Sequence, residues 1–138
     1  MRIIVNFVNK KIANNMLEKG LKHQSVMRVT DGNTAEFIGS GDMAVLATPA
    51  MVALMENAAM LAVALHLDEG DTTVGSMIST SHLKPSKIGA TISAIAELVE
   101  VDSRKLTFKI EAYDADVLIG SGEHIRYVVN REKFLSKL

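Results

Sequence analysis

Glu56 is the single acid in the long apolar run Met43–Leu67, MAVLATPAMVALMENAAMLAVALHL. A carboxylate inside such a run sits in low dielectric, where its charged form is disfavoured. It then needs a partner or a chemical task, and a positioned carboxylate can serve as general base or as nucleophile. The bland alternative is a helix face that opens to solvent at that turn, with Asn57 beside it. His82 follows Ser79-Thr80-Ser81, hydroxyls that can fix an imidazole tautomer; its alternative is a structural or exposed histidine. Alternation along an extended strand puts Val74, Ser76, Ile78, Thr80 and His82 on one face. Thr48, just before Pro49, is fully explained as a helix N-cap, and a chemical role requires its hydroxyl to face a substrate. Gly75 marks a strand bulge or a close approach of ligand to backbone, where its N–H could donate to a carbonyl oxygen. Gly120, Gly122, His124 and Arg126 share a strand face. The glycines make room for a helix, and an inward guanidinium wants an anion unless it lies at an exposed end.

Other chemistries are excluded or lack their residues. The chain has no Cys, so thiol nucleophiles, disulfides and thiolate metal sites are absent. His23, His66, His82 and His124 have no metal-ligating spacing, and no metal is expected. Gly39-Ser40-Gly41 fits neither a P-loop nor a dinucleotide fingerprint, and no G-x-S-x-G elbow occurs. Lys plus Arg number 15 against 16 Asp plus Glu, a net charge of −1 that argues against a nucleic-acid partner. Aromatics are 4% with no Trp, which leaves no base-stacking platform. The run Met43–Leu67 is long enough to span a bilayer, but Pro49 interrupts it and Glu56 lies near its middle. No membrane span is expected, and the chain reads as a cytoplasmic protein.

These residues must be placed by the surrounding elements. A length of 138 residues and 48% hydrophobic content allow one domain with a substantial core. Residues 1–15 read as an extra edge strand, a frayed arm or an extension upstream of a natural start at Met16, leaving 16–138 as the domain. A first strand is expected over Gln24–Thr30 and a short extended piece over Thr34–Ile38. A helix is expected from Pro49 to about His66, rich in Ala, Leu and Met and apolar nearly all round, hence buried on most sides. Four strands follow, over Thr72–Leu83, Ala90–Val101, Arg104–Tyr113 and Val117–Asn130. Asp102-Ser103 and Asp114-Ala115-Asp116 separate the last three at hairpin spacing. The expectation is an α+β hot-dog fold: a curved antiparallel sheet wrapped around one long buried helix. Its open sheet edges predict a homodimer.

The combination resembles the fluoroacetyl-CoA thioesterase-type branch of the hot-dog thioesterases, over roughly Leu17 to Phe134. The resemblance rests on Leu46-Ala47-Thr48-Pro49-Ala50-Met51-Val52-Ala53-Leu54-Met55-Glu56, on Thr73-Val74-Gly75, on Ser81-His82, on Gly120-Ser121-Gly122-Glu123-His124-Ile125-Arg126 and on Glu132-Lys133-Phe134. It implies a catalytic trio of Thr48, Glu56 and His82, with Gly75 at the substrate carbonyl and Arg126 in the substrate site. The implied reaction is hydrolysis of an acyl-CoA thioester, with no cofactor beyond the CoA of the substrate. Glu56 would be nucleophile or base for water, and His82 would handle protons or polarise the carbonyl. Fluoroacetate-specific members carry aromatic gate residues just before the catalytic Thr. Here Gly39-Ser40-Gly41-Asp42-Met43 stands there instead, which points to a general short- or medium-chain acyl-CoA. Two competing readings are a hot-dog dehydratase and a non-catalytic acyl-CoA-binding or sensing module. Thr48 and Glu56 are eight residues apart, about 12 Å along a straight helix. They meet only if the chain bends or if the site assembles around one substrate across a dimer interface.

Overall fold

The computed structural model describes residues 17–138; the extension expected over 1–15 and the start at Met16 lie outside them. Strand β1 (Lys22–Arg28) leads through a 3₁₀ turn (Asp31–Asn33) and a one-turn helix α1 (Ala35–Ile38) to the long helix α2 (Thr48–Ala64). Strands β2 (Asp71–His82), β3 (Thr91–Asp102), β4 (Lys105–Asp114) and β5 (Val117–Asn130) follow, then a short helix α3 (Arg131–Ser136). Among the described residues five strands form one antiparallel sheet in the order β1-β3-β4-β5-β2, with β1 and β2 at its edges.

The period-two pattern of β3 and β4 places Ile92, Ala94, Ala96 and Leu98, and Leu106, Phe108, Ile110 and Ala112, on the face that meets α2. From α2, Met51, Leu54, Met55, Ala58, Ala59, Ala62 and Val63 answer them at helical spacing. Alanines on both sides of this contact let helix and sheet backbones approach closely. The expected α+β architecture is therefore observed, with two local differences. Of the segment Thr34–Ile38 only Thr34 is extended, bridging to Leu46, while Ala35–Ile38 are helical. Thr34 Oγ1 accepts from the Phe37 N–H at 3.3 Å, and Gly39, at φ 91°, ends a single helical turn. Local side-chain capping outweighs the β-propensity of Phe and Ile here.

The second difference concerns α2, which the described residues leave uncovered along one stripe. The sheet covers one face, while Ala53, Asn57, Leu61 and Ala64 face outward and Val52, Glu56 and Met60 are half-buried. Five strands curve around only part of a helix. The chain thus carries an apolar helix stripe, with Leu61 at 40% and Leu65, just beyond the helix, at 84% exposure.

Candidate active site

The site is organised by an irregularity in β2. Gly75 pairs with Arg126 and Met77 with the adjacent Ile125, so Ser76 is an extra residue in the edge strand. A bulge of this kind shifts side-chain alternation by one. Before it, Thr73 and Gly75 face α2; after it, Ile78, Thr80 and His82 do. Uninterrupted alternation, which predicts Val74 and Ser76 on the His82 face, is therefore wrong for those two residues. Ser76 instead is exposed, with its hydroxyl donating to the Ile125 carbonyl at 3.3 Å. The bulge is what brings Gly75 and His82, seven positions apart, to the same side of one strand.

At one end, the first helical residue of α2 is Thr48, and its N-cap is Ala47 without a side-chain bond. Thr48 is thus not the cap. Its hydroxyl lies 2.8 Å from His82 Nδ1. Among the described residues no group bonds His82 Nε2, although the Lys84 backbone lies nearby. Burial pushes the His82 pKa below the ordinary 6.5, and the Lys84 backbone offsets part of this, so the imidazole is neutral at pH 7. If the Thr48 hydroxyl donates to Nδ1, Nε2 carries a proton it can give to a substrate. If Nδ1–H donates to Thr48, Nε2 is a base. The pair opens on a cavity of about 310 Å³, bounded also by Val45, Leu46, Leu83 and Lys84. Among the described residues no Phe, Tyr or Trp lines it, and Phe37 on α1 is 70% exposed.

Two turns along α2, Glu56 belongs to a second cluster. Its Oε2 is 3.8 Å from Arg126 Nη1, and its side chain is 41% exposed, so it stands at the rim of the core rather than inside it. Asn57 is not its partner, because Asn57 Oδ1 accepts from Ser25 Oγ at 2.6 Å. Arg126 is buried: Nε donates to Thr73 Oγ1 at 2.8 Å, Nη2 to the Thr73 carbonyl at 3.0 Å, and Nη1 to His124 Nε2 at 3.2 Å. Gly75 supplies the space. A Cβ added there would stand 2.9 Å from Glu56 Oε2, 3.2 Å from His124 Cε1 and 3.3 Å from Arg126 Nη1. Gly120 likewise admits Met51 of α2, whereas a Cβ on Gly122 would collide with the β2 backbone at Ser79.

The structure therefore brings the five sequence-selected residues into two groups, Thr48 with His82 and Glu56 with Gly75 and Arg126. Helix α2 runs unbroken between Thr48 and Glu56, so no bend closes the distance of about 12 Å. Two participants, Thr73 and His124, were not selected as site residues from sequence. His124 shares the alternation face of Arg126, which was the available signal. No group of three or more metal-ligating side chains comes together, and no helix is long and apolar enough to cross a membrane, among the described residues.

Comparison with known proteins agrees with this fold. The family described as FlK, fluoroacetyl-CoA-specific thioesterase, matches residues 29–132. A fluoroacetyl-CoA thioesterase from Streptantibioticus cattleyicolor is 39% identical over 94 residues, 68% of each chain. A solved structure of the fluoroacetyl-CoA thioesterase FlK superposes with a TM-score of 0.82 at 31% identity, covering 88% of this chain and 95% of that one. A thioesterase superfamily member from Thermus thermophilus superposes with a TM-score of 0.81 at 25% identity, covering 88% and 90%. With its profile matched from 29 to 132 and the same fold around the same helix, the chain belongs to the fluoroacetyl-CoA-specific thioesterase family of hot-dog proteins.

Proposed function

We propose that this chain hydrolyses a short- or medium-chain acyl-CoA thioester to free acid and CoA, as a cytoplasmic homodimer, using Thr48, Glu56 and His82. The observation that carries this is the β2 bulge, which turns a carboxylate cluster and an imidazole–hydroxyl pair to the same side of one strand. In the hydrolytic step Glu56 takes a proton from water as the oxygen attacks the thioester carbon. The Gly75 N–H stabilises the developing oxyanion. The C–S bond then breaks, and the CoA thiolate takes a proton delivered through His82. In the alternative route Glu56 attacks first and water hydrolyses the acyl–Glu56 anhydride. Single turnover in ¹⁸O-water separates them: only the anhydride route can leave label in Glu56.

The split within one protomer supports a dimeric site. Among the described residues β2 is an edge strand with one side unpaired, and the stripe of α2 they leave uncovered is apolar. Antiparallel pairing of two β2 edges about a twofold axis near the middle of Gly75–His82 sets Gly75 opposite the partner's His82. Glu56 of one copy then shares a substrate with the Thr48–His82 pair of the other.

Free-thiol release from an acyl-CoA panel tests the activity. We expect turnover of short and medium acyl chains, with fluoroacetyl-CoA favoured over acetyl-CoA by less than about tenfold in kcat/KM, because no Phe, Tyr or Trp among the described residues lines the cavity by Thr48. A folded dimer that cleaves no thioester overturns the reading in favour of a binding module.

Gly75→Ala checks the carboxylate's placement. The new Cβ meets the mobile end of Glu56, while Arg126 and His124 are tied to the sheet. The variant is expected to fold with Tm within about 5 °C of wild type. Turnover should fall about tenfold or more as Glu56 is displaced. Wild-type turnover would show that the space at Gly75 does not set the position of Glu56.

A further inference from the structure

The sheet holds Arg126 away from Glu56 rather than against it. A carboxylate and a guanidinium free to choose their geometry close to about 2.8 Å, often through two parallel bonds. Here the closest approach is 3.8 Å. The guanidinium is tethered instead by Thr73, through its hydroxyl and its carbonyl, and by His124. The Glu56 oxygens thus feel a nearby positive charge without having their lone pairs taken up by it. A carboxylate that must accept a proton or attack carbon needs those lone pairs free.

We propose that His124 is a positioning residue for Glu56: it accepts the Arg126 Nη1–H that would otherwise close on the carboxylate. The inference rests on the hydrolytic reading above. His124 is 1% exposed on β5, and both ring nitrogens are engaged. Chemistry fixes its tautomer. The Met77 carbonyl, 2.7 Å from Nδ1, only accepts, so Nδ1 carries the proton. Arg126 only donates, so Nε2 must be bare. Phe108 flanks the ring with centroids 6.2 Å apart. Burial is the main cause of a His124 pKa below 6.5, with the Met77 carbonyl and Glu56 opposing it and Arg126 adding to it, which keeps the acceptor available at pH 7. A residue serving only to fill this space would need neither nitrogen.

Two amide variants separate the contacts. Gln at 124 reaches as far as Nε2 and can still accept from Arg126. Asn reaches only as far as Nδ1, and can serve Met77 but not Arg126. We expect His124→Gln to keep kcat within about threefold of wild type, and His124→Asn and His124→Leu to lose about 10- to 100-fold with KM for the acyl-CoA little changed. Long-range ¹⁵N spectra of the wild-type imidazole should show a protonated Nδ1 and a bare Nε2. Equal kcat in Gln and Asn variants, a ranking with Asn above Gln, a loss confined to KM, or the opposite tautomer overturns the proposal. If the wild-type protein cleaves no thioester, the hydrolytic reading fails, and the tautomer together with slow exchange of an Arg126 Nη1–H in wild type and its loss in His124→Leu still decides the tether.

Discussion

Replacing Glu56 with Gln is expected to lower kcat for thioester hydrolysis by about 10²- to 10⁴-fold while leaving the fold unchanged. Gln has nearly the same volume and can occupy the space above Gly75, but it can neither take a proton from water nor attack a carbonyl as an anion. The cost to stability is small for a structural reason. Arg126 keeps its bonds to Thr73 and His124, and Glu56 is 41% exposed, so water already screens the ion pair that is lost. Thermal unfolding and thiol release measured on the same preparation check both halves. Turnover within about tenfold of wild type would remove Glu56 from the chemistry.

Mixing two dead variants is expected to restore activity. If Glu56 acts with the Thr48–His82 pair of the other subunit, a heterodimer of Glu56→Gln with His82→Ala has one site with both defects and one with none. Random reassociation of equal amounts then recovers about one quarter of wild-type activity, since half the dimers are mixed and each carries one intact site of two. The separation of the two clusters along an unbroken α2 is the basis for this expectation. Each variant alone stays inactive, so the signal rises from near zero and the effect is large. Mixing without any recovery, after exchange is verified by mass, would mean that each chain works with its own Glu56 and His82. Covalent linkage of the two variants into one tandem chain gives the same answer without relying on exchange.

Much of the scaffold was legible along the chain because it depends on local patterns. The alternation Leu106, Phe108, Ile110, Ala112 sets which face of β4 meets the helix, and the structure keeps it. The apolar run after Pro49 is a helix, and its boundaries, Thr48–Ala64, differ from the expectation by a residue or two. The turn signals at Asp102-Ser103 and Asp114-Ala115-Asp116 begin on the last residues of β3 and β4 and lead into the turns to β4 and β5. The residue types of the site, an isolated acid, a histidine among hydroxyls, a strand glycine and an inward arginine, were legible for the same reason: each is chemically out of place in its local pattern.

What the tertiary structure alone decided is how these residues face one another. A bulge exists only relative to a partner strand, so the extra residue at Ser76 cannot be read from β2 itself. Yet it determines that Gly75 and His82 share a side. Thr48 had a sufficient local role as a cap, and only the distant His82 draws its hydroxyl elsewhere. Glu56 looked buried because its neighbours in sequence are apolar, but helix burial depends on how far the sheet curves, and it stops short of Glu56. His124 gave no signal beyond its face, since its partners, Met77 and Arg126, come from two strands. Sequence determined the elements and the chemical groups, which short-range periodicity and residue chemistry encode. Pairing register, a property of contacts between distant segments, determined the geometry that makes them a site.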